Sequence, residues 1–71
     1  MRPGRLTDCF TTDGRRLRDG DFVRVICQGE IVQGTVREDD NDVWFVANDK
    51  GGWSPSLWVC DRIELIRRAD Q

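Results

Sequence analysis

Four groups of side chains in this sequence have the types and spacing to do chemistry. Trp53 and Trp58 flank Pro55 in the run Trp53-Ser54-Pro55-Ser56-Leu57-Trp58, an aromatic shelf suited to a Pro-rich segment or a methylated cation. Trp44 alternates with Phe45 along a run of β-formers, so one of the two faces outward. We place Trp44 outside as an interface anchor, because Val43, Phe45 and Ala47 make the consistent apolar set. Glu38-Asp39-Asp40-Asn41-Asp42 sets four carboxylates on one turn, a tip able to steer the chain onto a basic surface. It lacks the ligand spacing and bidentate Glu of a calcium loop. Arg15, Arg16 and Arg18, together with Arg67 and Arg68, would form one phosphate-binding patch if the chain ends meet. Each group also has a plain structural reading. Trp44 would then cover the outside of the fold, the acidic tip would be wet, and the arginines would balance nearby acids.

Catalytic chemistry is poorly provided for. The 71 residues contain no His, which removes the commonest general base and the commonest metal ligand together. There is no Gly-x-Ser-x-Gly, no phosphate loop and no Cys/His pair. Cys9, Cys27 and Cys60 are odd in number and form no Cys-x-x-Cys pair. That argues against a disulfide framework and against a zinc site, and reads as small buried hydrophobes. No cofactor is expected. Charged residues are 34% of the chain and hydrophobic ones 38%, with a net charge of −2. This is an ordinary globular balance, neither disordered nor polycationic. A chain this short buries only about 60% of its unfolded surface, which leaves little room for a deep cleft. Composition therefore points to a binding module rather than an enzyme. No signal peptide or membrane-length apolar run is visible, so a reducing cytoplasm is expected.

The elements that must position these groups are mostly strands. Residues 1–5 and 69–71 read as flexible ends and 6–68 as one domain. Phe22–Cys27 is rich in β-formers, with Val23, Val25 and Cys27 on one face. Gln28-Gly29-Glu30 suits a tight hairpin into Ile31–Arg37, where Val32, Gly34 and Val36 share a side. Gly34 marks a bulge or a close crossing by another strand. Val43–Ala47 is a third strand, and the glycines of Asn48-Asp49-Lys50-Gly51-Gly52 supply positive φ in the turn after it. Trp53-Ser54 makes a short fourth strand. Ser54 caps a helical turn with Pro55 at its first position, and Arg62–Ile66 closes the set. Upstream, Cys9–Leu17 is either a hairpin about Asp13-Gly14 or an ordered loop.

Short strands, tight turns and a helical turn before the last strand predict an all-β fold, a small five-stranded closed barrel. The pattern resembles the Src-homology-3-like (SH3-like) barrels. The resemblance rests on the turn into a core strand, Gly20-Asp21-Phe22-Val23, and on Trp53-Ser54-Pro55-Ser56-Leu57-Trp58-Val59 before the final strand; it spans about residues 17–66. A Tudor-like cage would need aromatics on the Gln28–Glu30 loop, and there are none. Gly20–Val25 with Gly29 and Gly34-Thr35-Val36 also looks like the KOW-type motif of ribosomal and transcription-factor barrels, without its basic residues and middle glycine.

The expected function is protein binding, with a partner that has a basic surface, by a monomer or weak homodimer. Glu38, Asp39, Asp40 and Asp42 with Trp44, or Trp53 with Trp58, would make the contact. Small acidic proteins of this kind resemble phage or mobile-element inhibitors, including anti-CRISPR proteins that block nucleic-acid sites. The competing expectations are an RNA- or DNA-binding adaptor using Arg15, Arg16, Arg18, Arg67 and Arg68, and a small subunit of a larger, virion-related assembly.

Overall fold

A computed structural model describes residues 5–69; the expectations for residues 1–4, 70 and 71 lie outside them. Six strands follow in chain order: β1 Leu6–Phe10, β2 Arg16–Arg18, β3 Phe22–Cys27, β4 Glu30–Glu38, β5 Trp44–Asn48 and β6 Arg62–Arg67. One 3-10 turn, Leu57–Val59, lies between β5 and β6. The strands form two hydrogen-bonded sheets, β1-β2 and β5-β4-β3-β6, in place of the single closed five-stranded barrel expected. Among the described residues no helix is long and apolar enough to cross a membrane.

The four-stranded sheet grows from β3. Its alternation buries Val23, Val25 and Cys27 on one face and leaves Arg24 exposed on the other. Gln28 and Gly29 both have positive φ, 52° and 81°, the signature of the hairpin turns whose twist matches the strands they join. The resulting register sets Val25 opposite Val32 and Val23 opposite Gly34. Gly34 is required by a close approach: a Cβ there would lie 1.9 Å from the Ala47 carbonyl oxygen of β5.

Register also decides the orientation of β5, against expectation. Val36 faces the core and pairs with Val46. Directly opposed residues point the same way, so Val46 faces inward and the two-residue period carries Trp44 in with it. Trp44 is 5% exposed, and Val43, Phe45 and Ala47 are the half-buried outer set. Counting three apolar residues against two gave the wrong face, because the partner strand sets the parity.

The first two strands form the hairpin about Asp13-Gly14, with Gly14 at φ +91°. It inserts Leu17, fully buried, and Thr7 and Cys9 into the core. The buried Thr7 hydroxyl accepts from the Cys9 N–H and donates to the Leu17 carbonyl, so its polarity is satisfied. Both sheet edges are covered. The Val46 N–H donates to the Pro55 carbonyl beside a bridge between Phe45 and Ser56, and on β6 Thr12 donates its N–H to the Ile63 carbonyl.

Three further expectations are corrected. Trp53-Ser54 is not a strand, because Asn48 ties this loop through its own side chain and N–H, to the Trp53 carbonyl and the Ser54 hydroxyl. The helical turn is capped by Ser56 rather than Ser54: its hydroxyl accepts from the Trp58 N–H. Finally, Cys27 and Cys60 are joined in a disulfide, leaving Cys9 as the free thiol. Their separation of 33 residues vanishes in space because β6 pairs with β3, Ile26 opposite Arg62, and brings the two Cα atoms to 4.4 Å.

Candidate functional site

The acidic turn is largely spent on the fold. Glu38 is not an exposed contact. Its side chain is 5% exposed and pairs with Arg5 at 2.9 Å, and the Arg5 guanidinium lies over the Trp44 ring, 5.3 Å from its centroid. Glu38 and Trp44 are cross-strand partners, so carboxylate, guanidinium and indole make one packed corner. Trp44 is accordingly removed from the contact surface, and Glu38 with it. One Asp39 carboxylate oxygen accepts from the N–H groups of Asn41 and Val43, the side-chain turn that suits Asp at a hairpin tip. Asp40 and Asp42 remain exposed, with no side-chain partner among the described residues.

The arginines divide among separate duties. Arg15 pairs with Asp13 at 3.2 Å. The Thr11 hydroxyl and the Arg15 guanidinium hold the exposed Asp13 carboxyl below its usual range. Arg16 donates to the Thr7 carbonyl and stacks over Phe10, and Arg67 lies over Phe22. Arg18 is exposed on β2. Arg68 does meet the 16–18 strand, donating to the Arg16 carbonyl, but the same nitrogen pairs with buried Asp21 at 2.9 Å. Arg68 is thus brought to β2, with its guanidinium turned inward to a carboxylate.

Trp53 and Trp58 are 42% and 64% exposed, and Val59 beside Trp58 is 48% exposed. The segment beneath them is firmly held. Leu57 is buried, Cys60 is bonded to Cys27, and the Asp61 N–H donates to the Ile26 carbonyl.

Cys9, on β1, is buried. Burial, then the hydrogen bond and charge of Asp8, push its thiol up to about 11. The thiolate is the nucleophile, so Cys9 is expected to resist iodoacetamide at pH 7.5 in the folded protein and to react once denatured. Rapid labelling of the native protein would contradict this. A folded value above the ordinary 9.0 means the unfolded chain loses its proton first. Stability from this group is therefore whole below pH 9 and lost between about 9 and 11.

Two features escaped the sequence reading. Asp19 and Asp21, which look like turn residues before β3, are buried. Asp19 lies 3.6 Å from Arg37, and fully buried Asp21 accepts from the Arg18 N–H, Arg68 and the Ala69 N–H. The second is a groove of about 430 Å³ between the hairpin tip, Thr12, Asp13 and Arg15, and residues of β3, β4 and β6. Nothing local in the sequence marks it, since three distant segments build it.

No protein-family model, curated protein or solved structure matches the chain.

Proposed function

We propose that this chain is a non-catalytic protein-binding module, a small all-β fold akin to the SH3-like domains but built as two sheets, whose contact surface centres on Trp58. The observation that carries this reading is the pairing of high exposure with a rigid base at that residue. A large ring with only two side-chain torsions, on a backbone segment already held, loses little conformational freedom on binding, and Trp is among the residues that dominate interface energetics. Val59 and Trp53 extend the apolar surface, and Asp40 and Asp42 supply the charge that would steer the module toward a basic partner. In its inhibitor form, the module would work by occupying a nucleic-acid-binding surface of such a partner.

Affinity capture with wild-type protein and with Trp58→Ala, compared by quantitative mass spectrometry, tests the reading. A partner held through Trp58 should be retained at least tenfold less by the variant, since truncating a central Trp costs about 2 kcal/mol or more of binding. Folding stability should change by less than about 1 kcal/mol, as for other surface changes. Partners retained equally by both proteins would sink it.

A further inference from the structure

The groove at the hairpin tip is lined by residues other than Trp58 and its chain neighbours. Ile26 and Ile31 supply aliphatic surface on the outer face of the sheet, and β6 lines the groove beside them at Ile63 and Leu65, whose side chains turn to the core. Ile31 is 68% exposed, an unusual position for an isoleucine unless something lies against it. Three guanidinium groups, Arg15, Arg24 and Arg62, rise around this surface. A volume of about 430 Å³ falls in the range of cavities that enclose small ligands.

Charge and pattern select the occupant. Arg15 is matched by Asp13 and Arg24 by Glu64, 3.3 Å away, while Arg62 has no ion-pair partner among the described residues. A guanidinium carries five N–H donors, so even the paired ones keep donors to offer, and Arg62 keeps its whole fork for a carboxylate. Across the sheet the side chains stand in rows. Ile31, Ile26 and Arg62 form one row by register, and Gln33, Arg24 and Glu64 the next. Rows on one face of a sheet repeat at about 6.8 Å, and so do alternate side chains of any extended peptide. The backbone edge at Ile63 is already paired by Thr12, so recognition here runs through side chains. Single-stranded nucleic acid is disfavoured, because the lining holds no aromatic ring on which a base could stack and the chain as a whole is net negative.

We infer that this groove docks an extended peptide segment in which acidic and aliphatic side chains share one face, the aliphatic group seated on Ile26 and Ile31 and the carboxylate held by Arg62.

The test uses the whole protein, isotopically labelled, and two synthetic octapeptides. In one, Glu and Ile share the face of an extended chain; in the other Lys replaces each Glu. Titration by two-dimensional amide NMR is expected to shift Thr12–Arg15, Arg24, Ile26, Ile31 and 62–65 with the acidic peptide, and to leave Trp58 in place. The Lys peptide should bind at least tenfold more weakly, and so should the acidic peptide to Arg62→Glu. Arg62→Ala serves as the milder variant should the reversal disturb the fold. No groove shifts with the acidic peptide, equal affinity for the Lys peptide, or equal affinity in both Arg62 variants would overturn the inference. Groove shifts with oligo-dT at low salt that match or exceed those with the acidic peptide would also overturn it. Because the Trp58 resonances report on the other surface, failure here is distinct from failure of the proposed function.

Discussion

Reducing the Cys27–Cys60 bridge, or replacing both residues by Ala, is expected to leave the chain largely unfolded at 37 °C. The bridge closes a loop of 33 residues, and restricting an unfolded chain over that length is worth about 4 kcal/mol on the chain-entropy estimate. A core of this size supplies only about 3–5 kcal/mol, so the cross-link accounts for much of the margin. The position of the bridge sharpens the effect. It joins the end of β3 to the residue after the 3-10 turn, and so ties the Trp58 segment to the central sheet. Urea unfolding with and without a phosphine reductant measures the loss as a fall in midpoint. Thiol titration of the denatured, unreduced protein should find Cys9 alone. Unchanged midpoints, or three reactive thiols in the unreduced chain, would contradict the expectation.

How far the fold was legible depends on how local its causes are. Strands β3, β4, β5 and β6 were readable because each buries one face of a sheet, and a half-buried strand must alternate. For Cys9–Leu17 the sequence left a hairpin about Asp13-Gly14 and an ordered loop open, and the β1-β2 pairing decides for the hairpin. The 3-10 turn was found two residues early, since Ser54 and Ser56 are equally good caps and the bridge of Ser56 to Phe45 chooses between them. What failed was whatever depends on a partner strand. The inward face of Trp44 is dictated by Val36 across β4, and the disulfide by the pairing of β6 with β3. The candidate site fared worse for the same reason. Trp53 and Trp58 stand exposed, but Arg5, the residue before β1, claims both Glu38 and Trp44. The groove draws on residues 12–15, 24–31 and 62–65, which no window of sequence sets side by side.

Asp21→Ala is expected to cost about 3–5 kcal/mol, the range for removing one partner of a buried ion pair. The carboxylate is fully buried and does the work of a junction. One oxygen takes the Arg18 N–H at the end of β2 and Arg68 after β6, and the other takes the Ala69 N–H. Alanine removes the acceptor of both backbone N–H groups and the charge partner of Arg68, which keeps only its bond to the Arg16 carbonyl among those described above. It also cuts the hairpin that carries Leu17 from the strands beneath it, so the loss should exceed that of a single buried hydrogen bond. Asp21→Asn separates charge from shape. Its amide retains one acceptor oxygen but turns an N–H₂ toward donors, so it should restore little. The decisive measurement is a double-mutant cycle with Arg68→Ala. If Asp21 and Arg68 act as a pair, the double variant should be more stable than the sum of the single losses implies, by about 1 kcal/mol or more. Strict additivity would mean that Asp21 acts through the two backbone N–H groups alone. In that case the segment after β6 is held to β2 by hydrogen bonding rather than by charge.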